Sequence, residues 1–186
     1  MVILYGGAFN PPTIAHLEII KYLQKHYADA HILVMPTNNK YKDEKLVDYS
    51  HRLNMVKLLV KGLDNIEVSD FELKQNDKYL GTADTLAKLN HPYFVIGADA
   101  LAKVTSWINP EVLIKDNQFI VFPRDNISVK GIINNDELLK KYKNHFKIID
   151  DFKEIDCSST SFRELKDQNL LTSEVYEYIK DNNLYL

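Results

Sequence analysis

Short apolar runs rich in β-branched residues alternate along the chain with segments whose apolar residues recur every three or four positions. Runs of the first kind predict strands that are buried on both faces, and segments of the second kind predict amphipathic helices. Their alternation requires crossovers between parallel strands, and such crossovers are right-handed. The expected fold is therefore α/β, a doubly wound parallel sheet of Rossmann-like type with helices on both faces.

The predicted strands are Val2–Tyr5, His31–Met35, Ile66–Phe71, Tyr93–Ile96, Phe119–Phe122 and Phe146–Ile149. The predicted helices are Ile14–Lys25, Ser50–Gly62, Thr82–Asn90, Ala98–Val104, Asp136–Asn144, Ser158–Gln168 and Ser173–Asn182. The polar stretches Thr37–Asp48 and Arg124–Asp136 are predicted to be mobile loops. If the strand order is 3-2-1-4-5, the first and fourth strands end side by side, which is where such sheets bind ligands.

Length and composition limit the classes of protein that fit. A chain of 186 residues can build a sizeable core, and we expect a single domain over residues 1–186. No apolar stretch could span a bilayer and no secretory leader opens the chain, so no membrane partner is expected. With one cysteine and no zinc spacing, we expect a cytoplasmic location and no metal held by the protein. The net charge of −3 leaves no global basic field for nucleic acid. These features neither require nor exclude a homodimer.

The densest local signal is the segment Gly6–His16, which follows an apolar run and leads into a predicted helix. Its two adjacent glycines allow a sharp turn and a close approach of the backbone to a ligand. Thr13 is the predicted N-cap, which places His16 in the first helical turn. Backbone N–H groups and the positive end of the helix dipole meet there, and this suits an anion. The alternative is an ordinary strand–loop–helix connection with a histidine on the surface.

A second motif lies near the end of the chain. Ser158, Ser159 and Thr160 lead into a predicted helix, and Arg163 follows within its first turn. Hydroxyl groups, helix-start amides and a planar guanidinium together suit the oxygens of a polyphosphate. The alternative is a well-capped helix with an exposed arginine. Cys157 has no His or basic neighbour in the sequence, and we interpret it as a packing residue.

Three further groups of residues are of types that suit a nucleotide. Gly97 and Asp99 follow the fourth strand, where a carboxylate can accept hydrogen bonds from ribose hydroxyls; an Asp N-cap is the alternative. Thr82 is a predicted N-cap and Thr85 lies one turn later on the same face. Trp107 is interpreted either as a core anchor or as a stacking surface for an aromatic ligand.

The polar loop after the second strand contains Asn39, Lys40 and Lys42, which offer amides and positive charge to a phosphate. A solvated loop is the alternative. Ser50 is the predicted N-cap of the next helix, and we favour a structural role for Arg52.

The segment Gly6–His16 resembles the (H/T)xGH signature of the nucleotidylyltransferase superfamily, with Thr13 first, His16 last and Ala15 in place of glycine. The string SSTSFR at Ser158–Arg163 is similar to the SSTxxR motif of the same superfamily. Between them, the strings TADTL and FVIGADAL and the tryptophan that follows resemble bacterial nicotinate-nucleotide adenylyltransferase. The resemblance spans nearly the whole chain.

This resemblance implies an enzyme that joins ATP and nicotinate mononucleotide, giving deamido-NAD and pyrophosphate, and that uses Mg²⁺ with ATP. It implies His16 and Arg163 as catalytic residues. For ATP it implies Gly7, Ala8, Phe9, Thr13, His16, Gly97, Asp99, Ser158, Ser159, Thr160 and Arg163. For the mononucleotide it implies Asn39, Lys40, Lys42, Thr82, Thr85 and Trp107. Many family members carry a Pro-Pro-His-Lys string in the loop where this chain has Asn39-Lys40-Tyr41-Lys42.

Other functions stay open on the residues alone. Another adenylyltransferase would take phosphopantetheine or nicotinamide mononucleotide as acceptor, although Thr82, Thr85 and Trp107 argue against phosphopantetheine. A non-catalytic nucleotide sensor would have no need of both His16 and Arg163. A nucleic-acid-binding module is disfavoured by the net charge.

Overall fold

The computed structural model describes residues 1–40, 45–75 and 81–185. The strands of these ranges form one six-stranded sheet in the order β3-β2-β1-β4-β5-β6. They are β1 Val2–Gly7, β2 His31–Pro36, β3 Ile66–Val68, β4 Tyr93–Gly97, β5 Phe119–Phe122 and β6 Phe146–Ile148. β1 pairs with β4, β2 with β3, β4 with β5 and β5 with β6, all in parallel. The predicted doubly wound α/β fold and its strand order are confirmed.

Helices connect the strands, as parallel crossovers require. Those in the described ranges are α1 Ile14–His26, α2 Tyr49–Leu59, α3 Thr82–Lys88, α4 Ala98–Leu101, α5 Pro110–Asp116, α6 Val129–Asn135, α7 Glu137–Lys141, α8 Ser159–Leu165 and α9 Ser173–Asp181. Single 3₁₀ turns lie at Leu73–Gln75, Val104–Ser106, Lys143–His145 and Gln168–Leu170. None of the helices described is long and apolar enough to cross a membrane.

Contacts between Cα atoms divide the chain into two compact units. The first comprises residues 1–5 and 80–154, with β4, β5 and β6, and its core includes the fully buried Phe119–Phe122 of β5. The second comprises residues 6–79 and 155–186, and its core includes Ile20 and Leu23 of α1 and Met55 of α2. The expected single domain stays a prediction.

The fold departs from the predicted elements where helices are short. α5 and α6 were not predicted. A seven-residue helix gives two turns of periodicity at most, and neither begins with a motif such as TADTL or SSTSFR, which mark α3 and α8 of the same length. α6 lies in a stretch predicted to be a mobile loop, and the Ser128 hydroxyl caps it by accepting from the Gly131 N–H at 3.1 Å.

Other differences concern helix starts and one strand end. Asp48, not Ser50, caps α2, since its carboxylate accepts from the Ser50 N–H at 2.9 Å. Gly81, not Thr82, is the N-cap of α3. β3 ends at Val68 rather than at Phe71.

The start of α3 depends on a glycine. Gly81 has φ +80°, and a Cβ added there would lie 3.2 Å from the Cβ of Ile108. Gly62 has nearly the same φ, +82°, with no heavy atom within 4 Å of an added Cβ. Both positions have a positive φ that strains alanine, and only at Gly81 must a neighbour, Ile108, also shift by a few tenths of an ångström.

We predict that Gly62→Ala lowers the free energy of unfolding by about 1–2 kcal/mol, from backbone strain alone. Gly81→Ala should lower it by about 1–3 kcal/mol more, because the new methyl group also displaces Ile108. Urea denaturation of the two variants measures the difference. Equal losses would show that Gly81 is needed only for its backbone angle.

Candidate active site

The loop Gly6–Thr13, hereafter the N-terminal loop, joins β1 to α1 and packs its aromatic side chain inward. Phe9 is 1% exposed, and its ring centroid lies 5.0 Å from that of His16. A Cβ on Gly7 would lie only 3.4 Å from the Phe9 ring. Glycine therefore lets the ring pack beneath the loop, and what the loop can offer a ligand is its backbone.

His16 is fixed at the start of α1 through one ring nitrogen. The backbone N–H of Thr13 donates to Nδ1 of His16 at 3.0 Å, and the Thr13 hydroxyl lies 2.8 Å from the same nitrogen. A nitrogen that accepts from a backbone N–H carries no proton. The imidazole is then neutral with its proton on Nε2, which makes Nε2 a hydrogen-bond donor. Thr13 is fully buried and is the N-cap of α1, as predicted.

The second motif is tied directly to the N-terminal loop. Ser159 donates to the backbone carbonyl of Pro11 at 2.7 Å. Arg163 donates from Nη1 to the carbonyl of Asn10 at 2.6 Å and from Nη2 to the hydroxyl of Thr160 at 3.1 Å. The two motifs are about 150 residues apart in sequence (148 and 153 positions for the two loop contacts), and both lie in the second unit. The structure therefore brings the two motifs into direct contact.

The hydroxyl of Ser158 is used to cap α8. Its Oγ accepts from the Ser161 N–H at 3.0 Å and lies 2.7 Å from the Ser161 Oγ. The helix is therefore well capped, as the structural alternative for this motif expected. Cys157 is buried, in agreement with a packing role.

Arg52 is a buried cation beneath the loops. Its side chain is 0% exposed, and its guanidinium donates to the carbonyls of Val47, Ala8 and Thr37 and to Oδ1 of Asn39, at 2.7–2.9 Å. Burial lowers the pKa of this guanidinium from its usual value. The guanidinium thus makes four hydrogen bonds to neutral oxygens, and the carboxylates of Asp48 and Glu72 act on its charge electrostatically. The structural role favoured for Arg52 is confirmed, with the N-terminal loop as one of its partners.

The loop after β2 is more tightly built than expected. Both ends of the Asn39 side chain are engaged within the protein, since Nδ2 donates to Asp48 at 3.0 Å and Oδ1 accepts from Arg52. The side chain of Lys40 is exposed. Lys42 lies outside the described residues. Of the three residues predicted for this loop, Lys40 is the one with an observed exposed cation.

The end of β4 requires a glycine. A Cβ on Gly97 would lie 2.5 Å from Oδ1 of Asp99, so the carboxylate folds back over the Gly97 backbone. Asp99 lies in the first turn of α4, whose N-cap is Gly97, and the Asp N-cap alternative is wrong. Arg124 places its Nε 3.9 Å from Asp99 Oδ2. Burial raises the pKa of the nearby Tyr5 hydroxyl, and the positive charge of Arg124 partly opposes this effect.

The residues predicted to meet a nicotinate ring differ in accessibility. Thr85 is 2% exposed, whereas Thr82 and Trp107 are half-buried. The Thr85 N–H donates to the Gly81 carbonyl at 3.1 Å and is already within the helix ladder. Thr82 and Trp107 are therefore the more accessible pair, and both lie in the first unit.

Sequence reasoning missed two residues of these sites. Asn10 is 4% exposed and supplies the carbonyl that Arg163 contacts. Arg124 faces Asp99 from the segment after β5. Asn10 lies within the Gly6–His16 segment but was not singled out, and Arg124 has no motif around it; the role of each depends on a partner distant in sequence.

Metal-ligating side chains do not cluster in the part of the chain that the structure describes. Residues 1–40, 45–75 and 81–185 contain no group of three or more His, Cys, Asp or Glu side chains that could hold an ion.

Comparison with known proteins identifies the family. Residues 4–165 match the cytidylyltransferase-like family model. A probable nicotinate-nucleotide adenylyltransferase of Acholeplasma laidlawii is 36% identical over 192 aligned positions, covering 100% of this chain and 97% of that protein. The probable nicotinate-nucleotide adenylyltransferase of Caldicellulosiruptor bescii is 32% identical, covering 99% of this chain and 98% of that protein.

Solved structures agree on the fold. The Plasmodium falciparum nicotinic acid mononucleotide adenylyltransferase complexed with NaAD superimposes with a TM-score of 0.82 at 23% identity, covering 99% of this chain and 96% of that one. The chain therefore belongs to the cytidylyltransferase-like family and, within it, to the nicotinate-nucleotide adenylyltransferases.

Proposed function

We propose that the protein transfers the adenylyl group of ATP to nicotinate mononucleotide, giving deamido-NAD and pyrophosphate in NAD biosynthesis. This choice of substrates is supported by the relatives that are named as probable nicotinate-nucleotide adenylyltransferases. The observation that carries the proposal is the fixed imidazole of His16, whose Nδ1 accepts from the Thr13 N–H beside a loop that Arg163 also contacts. A donor at Nε2 and a guanidinium beside one backbone loop suit a polyphosphate.

The reaction needs no protein nucleophile. A phosphate monoester has a second pKa of about 6, so the mononucleotide phosphate is already an ionised nucleophile near neutral pH. One of its oxygens forms a bond to the α-phosphorus of ATP, and the bond from that phosphorus to the bridging oxygen breaks. The departing pyrophosphate keeps the electron pair. The protein's task is then to position the groups in line and to stabilise the developing negative charge.

We assign the residues to the parts of ATP as follows. The backbone of Gly7, Ala8 and Phe9 and the imidazole of His16 meet the phosphates. The segment from Ser158 to Arg163 meets the β- and γ-phosphates, and Gly97 with Asp99 meets the ribose hydroxyls. In this assignment a side chain at position 97 would force the Asp99 carboxylate away from its observed place.

For the mononucleotide we assign Thr82, Thr85 and Trp107 to the nicotinate ring and the loop of Asn39, Lys40 and Lys42 to its phosphate. Within this set, Lys40 is the described residue with an exposed positive charge. Asn39 acts by holding the loop to Asp48 and Arg52 rather than by donating to the phosphate.

Mg²⁺ enters this proposal together with ATP. Because the described residues hold no cluster of metal-ligating side chains, the phosphate oxygens and water would supply most of its ligands. Mg²⁺ bound in this way neutralises charge on the phosphates. A homodimer, a cytoplasmic location and the lack of a nucleic-acid or membrane partner stay predictions.

The function is tested by measuring pyrophosphate release from ATP and Mg²⁺ with each acceptor in turn: nicotinate mononucleotide, nicotinamide mononucleotide, phosphopantetheine and no acceptor. The proposal requires nicotinate mononucleotide to be the best acceptor. Turnover with phosphopantetheine, or ATP binding without turnover on any acceptor, would favour the corresponding alternative function.

We predict that His16→Ala lowers kcat by about 10²–10³-fold, because one donor to the charge that develops in the transition state is lost. His51→Ala is the matched control, since His51 lies in α2 and its ring contacts the Tyr178 hydroxyl at 3.0 Å. The control should keep wild-type kcat. A folded His16→Ala variant with unchanged kcat would remove this residue from the mechanism.

Arg163→Lys should lower kcat about tenfold or more while the melting temperature shifts little. Lysine keeps the charge but cannot hold the Asn10 carbonyl and the Thr160 hydroxyl with a planar fork while also facing a phosphate. Steady-state kinetics and thermal melting measure both quantities. Wild-type turnover in this variant would mean that Arg163 is an ordinary surface residue.

Nicotinate mononucleotide should exceed nicotinamide mononucleotide in kcat/KM by at least about tenfold, as expected when one charge-assisted hydrogen bond is lost. Backbone donors at the start of α3 suit a carboxylate, whereas a carboxamide would turn N–H groups toward one of them. Trp107→Ala should weaken both substrates alike, because either ring can stack. The measurement is kcat/KM for both at saturating ATP, and equal values would contradict this account of selectivity.

A further inference from the structure

Asn10 is the point at which four separate segments of the second unit meet. Its backbone carbonyl accepts from Arg163 at 2.6 Å. Its side-chain Oδ1 accepts from the Val47 N–H at 3.1 Å and from the hydroxyl of Tyr185 at 2.8 Å. Asn10 is 4% exposed, so these bonds are shielded from water and fix its orientation.

Tyr185, whose hydroxyl donates to Asn10, lies 175 positions away from it in the sequence. Its ring meets that of Phe162 edge to face, with centroids 6.0 Å apart and an interplanar angle of 90°. Phe162 is 2% exposed and immediately precedes Arg163 in α8. Lys166, at the end of the same helix, donates to the Tyr185 carbonyl. Tyr185 therefore contacts both α8 and the N-terminal loop.

The chemistry of the contact suits a permanent donor. Burial raises the pKa of the Tyr185 hydroxyl, so the group stays protonated near neutral pH. A hydroxyl that donates to Oδ1 leaves the amide oxygen in one orientation. Because the Asn10 side chain is held at Oδ1, the residue as a whole moves less. Its backbone carbonyl, a different group, then stays in place to accept from Arg163.

We infer that Tyr185 is a positioning residue for adenylyl transfer, which acts by orienting Asn10 and, through the Asn10 carbonyl, the guanidinium of Arg163. The inference rests on the proposed function, because it gives Arg163 a phosphate to meet. Tyr185 itself need not touch a substrate. Its hydroxyl contributes by reducing the number of orientations that Arg163 samples before the transition state is reached.

The test compares Tyr185→Phe with Tyr178→Phe. Each change removes one buried or half-buried hydroxyl and keeps the ring. The Tyr178 hydroxyl accepts from Asn54 at 3.1 Å and contacts His51 at 3.0 Å, so it serves α2 and α9 rather than the N-terminal loop. Thermal melting should show similar, small shifts for both variants, which controls for folding.

Tyr185→Phe should lower kcat about three- to tenfold with little change in KM for nicotinate mononucleotide, and Tyr178→Phe should leave kcat unchanged. In an Arg163→Lys background the added Tyr185→Phe change should cost less than about twofold, because the guanidinium it positions is already gone. Equal kcat in the two single variants, or a full multiplicative loss in the double variant, would overturn the inference.

A second measurement separates this inference from the proposed function. Titration calorimetry with inorganic pyrophosphate should show about threefold weaker binding to Tyr185→Phe than to wild type, with Tyr178→Phe unchanged. Wild-type turnover combined with no difference between the variants overturns only the role of Tyr185. A wild type that neither turns over nor binds pyrophosphate overturns the proposed function and this inference together.

Discussion

Hydrogen bonds from side chains to the carbonyls of the N-terminal loop are the constraint on which the rest of the proposed site depends. Arg52 contacts the carbonyl of Ala8, Arg163 that of Asn10 and Ser159 that of Pro11, at 2.6–2.8 Å. The carbonyls are the negative ends of the peptide dipoles, and these three are engaged by protein donors. A loop held in this way can turn its N–H groups to an anion without reorganising when the anion arrives.

This arrangement explains how two motifs at opposite ends of a chain can serve one reaction. The segment Ser158–Arg163 donates hydrogen bonds to the backbone of the N-terminal loop. The same contact places the guanidinium of Arg163 beside that loop. Buried Arg52 adds a positive charge beneath the loop, where its hydrogen bonds go to neutral oxygens and the charges of Asp48 and Glu72 also act on it. A protein with a net charge of −3 can thereby present local positive potential to polyphosphates.

The sequence alone predicted the fold and the residues that carry local patterns. Apolar β-branched runs located the strands, and the order 3-2-1-4-5 assumed for a doubly wound sheet is observed, with β6 added at the edge. The seven-residue helices α5 and α6 were not predicted, because their periodicity is short and neither begins with a motif like those that mark α3 and α8. The contact of Tyr185 with Asn10 could not be predicted, since nothing in either residue's neighbourhood points to a partner 175 positions away. The complete burial of Arg52 was not predicted either, because an arginine among apolar helix residues is usually expected to be exposed.

The central claim is that the adenylyl group passes directly to the mononucleotide phosphate on a loop that is already in place, with no covalent protein intermediate. The most direct measurement is the stereochemical course at the α-phosphorus, using ATP that carries one sulfur and a defined configuration there. A single in-line displacement predicts inversion of configuration in the deamido-NAD product. Retention would require two displacements through an adenylylated residue and would contradict the account.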